Sequence, residues 1–95
     1  MELILTNHAY ERYIQRVGPT DRDELTRQLQ HWIHQPDRRK RSYIQLGGVW
    51  WRYSREDSVV ILHTCYGRHV GDLPEAIRWA KRHGDRIALG DRYAD

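Results

Sequence analysis

The segment TNHAYERYIQRVGP, residues 6–19, places His8, Arg12 and Arg16 at four-residue intervals. On a helix these three side chains lie within about 80° of one another. An imidazole can transfer a proton near neutral pH, and two guanidinium groups can bind a phosphate and stabilise the charge that develops on it. The same spacing is typical of a solvated polar helix face. The pattern therefore supports both a phosphate-directed site and a plain helix surface.

A second set of chemically capable side chains comes later, with Arg52 and His63 in two neighbouring predicted strands. Metal-independent RNA cleavage requires a base for the 2′-hydroxyl, an acid for the leaving oxygen and a cation beside the phosphate. His63 and His8 could supply the acid–base pair, and Arg52 the cation. Side chains alternate along a strand, so parity places His63 on the same side as Cys65. That position is also typical of a hydrogen-bonded core histidine, and both interpretations stay open.

The segment DRRKR is the densest run of positive charge, and its Arg38, Arg39, Lys40 and Arg41 could contact phosphate groups. The chain carries a net charge of +3, and 14 of its 16 basic residues are arginine. Arginine forms paired hydrogen bonds with phosphate and stacks on bases, although a GC-rich genome also enriches it. The composition favours RNA or another nucleic acid as partner. An exposed loop between a helix and a strand would show the same charges.

Hydrophobic periodicity predicts the elements that position these side chains. A helix is predicted over 8–17 with Thr6 or Asn7 as its cap, and a second helix is predicted to open at Thr20 and to end at Gln35–Pro36. Helices segregated from an antiparallel sheet make an α+β domain. A single domain is expected to span the whole chain. The remaining predicted elements are a short N-terminal strand at 2–5, an antiparallel three-stranded meander at 42–46, 49–55 and 58–66, a C-terminal helix at 73–83 and, left open, an edge strand at 86–89.

Several kinds of protein are not expected from this composition. Cys65 is the single cysteine and cannot form an intramolecular disulfide, and no apolar run reaches the roughly 18 residues of a membrane span, so we expect a cytoplasmic protein. His31 and His34 alone do not make a metal site, and no glycine-rich phosphate loop is present, so neither metal nor cofactor is expected. Trp50 and Trp51 must point to opposite sheet faces. One is expected in the core, and the other either under a helix or exposed as a stacking platform.

The order of these elements, with His8-Ala9, Arg12 and Arg16 opening the first helix, resembles the RelE/ParE-type toxin fold. That fold belongs to a wider group with barnase-like, EndoU-like and colicin-like ribonucleases, in which small phage and plasmid proteins often begin with a strand and such a helix. The resemblance implies metal-independent RNA cleavage, with catalytic side chains on the sheet and the first helix. ParE-type members act on a protein target, so the resemblance also implies a protein partner as an alternative.

Three functional hypotheses follow from these patterns. The first is a small RNA endonuclease from a phage or other mobile element, with a catalytic set comprising His8, Arg12, Arg16, Arg52 and His63. The second is a non-catalytic inhibitor or binding module of the same fold, which acts on nucleic acid or a host protein and has a possible antitoxin partner. The third is an interaction protein whose arginines serve solubility alone. The sequence leaves the target and the oligomeric state open.

Overall fold

The computed structural model describes residues 2–69, 72–83, 88–89 and 92–93. They form an α+β fold with a five-stranded mixed sheet, which confirms the predicted class. The strand order is β1-β5-β4-β3-β2, in which β1 is parallel to β5 and the other neighbours are antiparallel. In the described part of the chain, no helix has the length and apolar character needed to cross a bilayer. The elements are β1 (Glu2–Leu5), α1 (Asn7–Arg16), α2 (Arg22–Trp32), β2 (Arg38–Lys40), β3 (Tyr43–Leu46), β4 (Val49–Glu56), β5 (Val59–Arg68), α3 (Leu73–His83), β6 (Ala88–Leu89) and β7 (Arg92–Tyr93).

The first two helices begin at side-chain caps. Thr6 Oγ1 accepts a hydrogen bond from the backbone N–H of Ala9 at 3.2 Å and caps α1, as predicted. In α2 the cap is Asp21, whose Oδ2 accepts from the N–H of Glu24 at 3.1 Å. The prediction that Thr20 opens this helix is therefore wrong by one residue. A carboxylate at that position also interacts favourably with the positive end of the helix dipole.

The two faces of the sheet are covered by different helices. On the first, here called the α1/α2 face, Trp51 is fully buried and stacks on Tyr13 with ring centroids 5.7 Å apart and planes 9° apart. On the opposite side, here called the α3 face, Trp50 is buried against Leu73 of α3. The prediction that the two indoles lie on opposite faces is confirmed. The second indole lies under a helix, and it is not an exposed stacking platform.

Two segments differ from their predicted structure. The basic segment predicted as a loop contains the edge strand Arg38–Lys40, which pairs with β3. Charged residues are favoured on exposed edge strands because they discourage pairing with other chains, so composition alone does not separate such a strand from a loop. Near the C-terminus, Ala88–Leu89 pair with Arg92–Tyr93 in a separate two-stranded ladder instead of extending the main sheet. The sequence leaves open whether residues 86–89 form an edge strand, and the first two of these residues lie outside the described residues.

A bulge in β5 changes which of its side chains share a face. The register of β4 and β5 skips His63: Arg52 lies opposite Thr64, and the next residue of β4 lies opposite Leu62. The extra residue breaks the strict alternation of side chains. As a result Leu62 and Cys65 are both buried, while His63 is exposed. The prediction that His63 shares its side with Cys65 is therefore wrong, and so is the interpretation of His63 as a core residue.

Candidate functional site

The bulge residue His63 is held by a side chain of the neighbouring strand. Ser54 Oγ lies 2.6 Å from His63 Nε2. Ser54 is two residues from Arg52 on β4, so these three side chains lie on the same face of the sheet, the α3 face. Arg52 and His63 are both exposed there. Of the five predicted catalytic residues, these two share one accessible surface, and the hydrogen bond to Ser54 orients the imidazole.

Two tyrosines extend this surface towards α3. Tyr43 lies directly opposite Arg52 in the β3–β4 register, and its ring centroid is 5.7 Å from that of Tyr66. Burial raises the pKa of Tyr66 above 10.0, the neighbouring Tyr43 raises it further, and Arg52 lowers it. Both neighbours therefore interact with the Tyr66 phenol, which remains a protonated hydrogen-bond donor at neutral pH. We call Tyr43, Arg52, Ser54, His63 and Tyr66 the Arg52–His63 surface.

The two predicted arginines of α1 make hydrogen bonds within the fold. Arg16 Nη1 donates to the backbone oxygen of Cys65 at 2.7 Å, which ties the end of α1 to β5. Arg12 Nη1 donates to Gln15 Oε1 at 2.8 Å on the surface of the helix. Within the described residues, no hydrogen bond or ion pair joins either arginine to the Arg52–His63 surface. The first helix and the sheet thus do not combine into one five-residue cluster.

His8 is exposed in the first turn of α1 and lies near the bulge along the backbone. Thr6, which caps this helix, places its Oγ1 2.7 Å from the carbonyl oxygen of Leu62 and 3.4 Å from that of His63. The helix therefore starts beside the strand position that carries the exposed imidazole. This contact brings the chain around His8 close to His63, although the two side chains have no direct bond among the described contacts.

Lys40, predicted to bind phosphate, is bound by two carboxylates at the start of α3, one just before the helix and one in its first turn. Its Nζ lies 3.0 Å from Asp72 Oδ2 and 2.9 Å from Glu75 Oε1. The hydrogen bonds to Glu75 and then Asp72 raise the pKa of Lys40 above its ordinary 10.5. The hydrogen bond from Lys40, followed by nearby positive charge, lowers the pKa of Glu75 below 4.5. Lys40 therefore connects the β2–β3 hairpin to α3, and its charge is largely engaged by the protein itself.

The other three cations of the segment DRRKR lie on different sides of the β2–β3 hairpin. Arg38 lies opposite Gln45 on the α3 face, and Arg39 lies opposite Ile44 on the α1/α2 face. Both are exposed. Arg41 follows in the turn between β2 and β3, where its φ is 55°. Its side chain lines a surface pocket of about 170 Å³ together with Tyr43, Pro74, Ile77, Arg78 and Lys81.

Three residues of this surface were not among the sites predicted from sequence: Tyr43, Ser54 and Tyr66. For Tyr43 a signal exists, because a two-residue hairpin turn at Gly47–Gly48 places Tyr43 opposite Arg52 by counting. For Ser54 the signal is strand parity, because it lies two residues from Arg52 on β4. Tyr66 has no such signal, because its position depends on the bulges in β5 that skip His63 and Tyr66 in the register with β4. The α3 residues of the pocket could not be assigned because only tertiary packing brings them to the hairpin.

The arrangement can bind a phosphate, stack a base and transfer a proton on one exposed sheet face. In the ranges that the structure describes, no group of three or more His, Cys, Asp or Glu side chains could hold a metal ion. No protein-family model matches the chain, and no curated protein or solved structure matches it.

Proposed function

We propose that this protein binds single-stranded RNA on the Arg52–His63 surface and cleaves it without a metal ion. The observation that carries the proposal is the β5 bulge, which exposes His63 on the same face as Arg52. Ser54 restrains the imidazole through a 2.6 Å hydrogen bond. An oriented imidazole and a guanidinium on one face can supply two of the three groups that metal-independent cleavage requires, the base and the cation.

In the proposed reaction, His63 accepts the proton of an RNA 2′-hydroxyl. The 2′-oxygen attacks the adjacent phosphorus, a new P–O2′ bond forms and the P–O5′ bond breaks. Arg52 neutralises the charge that develops on the phosphate, and the Tyr43 ring offers a surface for a base. His8, whose helix begins beside His63, returns a proton to the leaving 5′-oxygen. The products are a 2′,3′-cyclic phosphate and a free 5′-hydroxyl, so no external oxidant or water is consumed.

The proposed setting is the cytoplasm of a cell that carries a phage or other mobile element, with the protein acting as a RelE-type toxin. The α+β layout and a first helix that carries His8 in its first turn support this assignment through the resemblance to RelE/ParE-type toxins. Cys65 is buried and unpaired, which suits a reducing compartment.

The test measures cleavage of a fluorescent single-stranded RNA in the presence of EDTA. His63→Gln is expected to lower the rate by about a hundred- to ten-thousandfold, the usual effect of losing a positioned acid or base. The substitution removes an exposed ring, so stability should change by less than about 0.5 kcal/mol. His31→Gln on α2 is a matched control, because His31 is also exposed but α2 packs on the other sheet face. Equal rates for wild type and His63→Gln would refute the assignment of His63.

A second candidate function is a non-catalytic module that binds RNA or a host protein. The hydrogen bonds of Arg12 and Arg16 within the fold favour it, because these arginines then stabilise α1 instead of contacting a substrate. This alternative predicts that wild type binds its ligand but releases no cyclic-phosphate product under any condition. Retention of labelled RNA on the protein, followed by analysis of the RNA termini, separates the two functions.

A further inference from the structure

The pocket beside Arg41 has a cationic rim and an apolar wall. Arg41 comes from the β2–β3 turn, while Arg78 and Lys81 come from α3. Arg78 Nη1 lies 3.3 Å from Glu75 Oε1, so part of its charge is neutralised. The pocket residues are three cations, one tyrosine and two apolar side chains, Pro74 and Ile77, with no carboxylate among them. We call this site the Arg41 pocket.

The Arg41 pocket and the Arg52–His63 surface are continuous because they share a residue. Tyr43 lines the pocket, lies opposite Arg52 across β3 and β4, and contacts Tyr66 through its ring. Arg52 has Tyr43 of β3 on one side and Thr64 of β5 on the other, and Thr64 is the neighbour of His63 in the chain. Two strand spacings, about 10 Å, therefore separate the proposed cleavage position from the Tyr43 ring.

The size of the Arg41 pocket indicates what kind of ligand it holds. Its volume of about 170 Å³ is well below the roughly 300 Å³ at which pockets begin to enclose a drug-sized ligand. It can accept a phosphate group and the edge of a base, but not a whole free nucleotide. A ligand that fits this pocket with useful affinity must therefore extend beyond it, and the adjoining surface leads to Arg52 and His63.

The backbone at Arg41 supports a role for its side chain. A φ of 55° is in the left-handed region, which favours glycine or asparagine in a hairpin turn and is unfavourable for arginine. Strained positions of this kind often occur at ligand sites. The Lys40 bridge to Asp72 and Glu75 holds α3 against the same hairpin, so the two halves of the pocket are fixed in place.

We propose that the Arg41 pocket is a phosphate subsite for a nucleotide adjacent to the cleaved one, so that the substrate is a single strand several nucleotides long. The inference rests on the proposed function, because the Arg52–His63 surface supplies the other half of the binding track. Arg41 and Lys81 bind the phosphate, and Tyr43 stacks on the base between the pocket and the cleavage position.

The test uses a fluorescein-labelled single-stranded RNA hexamer with 2′-O-methyl groups, which has no free 2′-hydroxyl and cannot be cleaved by the proposed reaction. Fluorescence anisotropy gives its dissociation constant as a function of salt. The double variant Arg41→Asn/Lys81→Ala is expected to bind about tenfold more weakly and to reduce the slope of log K against log salt by about 1 to 2. Asparagine tolerates the left-handed backbone, so the fold should be retained, which thermal unfolding checks.

Arg27→Ala is the matched control. Arg27 also carries a positive charge, but it pairs with Glu24 and lines a separate, more open depression of about 490 Å³ on α2. Its loss should change hexamer affinity less than twofold. Unchanged binding by the double variant would overturn the subsite, and so would an equal loss of affinity in the Arg27→Ala control. If a polyglutamate peptide competes as well as the hexamer, the pocket recognises anions in general and the single-strand assignment is overturned.

The two proposals fail in different ways. Wild type that cleaves no RNA, but whose hexamer binding depends on Arg41 and Lys81, would refute the cleavage function and leave the Arg41 pocket as a phosphate-binding site for single-stranded RNA. Wild type that cleaves RNA, but whose hexamer binding does not depend on these residues, would refute the subsite alone.

Discussion

Gly47→Ala is expected to destabilise the hairpin that places Tyr43 opposite Arg52. Gly47 has a φ of +56°, and a β-carbon built on it would lie 2.7 Å from the Trp32 ring. The left-handed backbone costs an alanine about 1–2 kcal/mol, and the displaced indole adds about 1–3 kcal/mol of overpacking. The free energy of unfolding should therefore fall by about 2–5 kcal/mol. At about 4–8 °C per kcal/mol for a chain of this size, the melting temperature should fall by about 8 °C or more.

Gly48→Ala is the control that separates the two contributions. Gly48 has a φ of +81°, but the nearest atom to its added β-carbon is Arg68 Nη1 at 3.0 Å, the end of a flexible side chain. Its substitution should cost only the backbone term, about 1–2 kcal/mol. In a Trp32→Ala background, Gly47→Ala should cost no more than Gly48→Ala, as a urea-unfolding double-mutant cycle would measure. Equal costs for the two glycines in the wild-type background would show that Trp32 does not pack on this turn.

Two further predictions concern titration. The pKa of Glu75 is lowered, so its ionised form stabilises the fold; this stabilisation is present above pH 4.5 and is lost as the pH falls through the lowered pKa. The pKa of Lys40 is raised, so the stabilisation by its charged form is lost only at strongly alkaline pH. The melting-temperature difference between wild type and Lys40→Met should accordingly be largest near neutral pH and vanish in acid, and a difference independent of pH would contradict the bridge. Burial raises the pKa of Cys65 to about 12, so native protein at pH 8 should resist iodoacetamide while unfolded protein reacts; rapid labelling of the native state would contradict that burial.

Local patterns in the sequence were sufficient for most of the elements. The 3.6-residue spacing of apolar residues predicted α1 and α2 to within a few residues, and Pro74 near a helix start predicted α3 over its observed range, Leu73–His83. The Gly47–Gly48 turn predicted the hairpin of β3 and β4. These features are properties of short segments, because backbone geometry fixes the period at which side chains return to one face.

The edge strand β2 and the arginines of α1 show where local patterns are ambiguous. A charged segment such as Arg38–Lys40 has the same composition in an exposed loop and in a protected edge strand, and only the partner β3 distinguishes them. Arg16 belongs to the polar side of α1 by periodicity, yet it donates to the carbonyl of Cys65. Which arginine finds a backbone acceptor depends on how the helix lies on the sheet.

The central residue of the candidate site, His63, is exposed for a reason that only the tertiary structure shows. Turn residues and β-branched runs predicted from sequence alone that Arg52 and His63 lie on adjacent strands of an α+β sheet. The exposure of His63 and the burial of Leu62 follow from the folded sheet, through a bulge next to the Arg52–Thr64 pair. A skipped residue shifts the alternation of side chains along the strand, here until the second bulge at Tyr66. The position of a bulge depends on the pairing of β4 with β5, so it is a property of the two strands together.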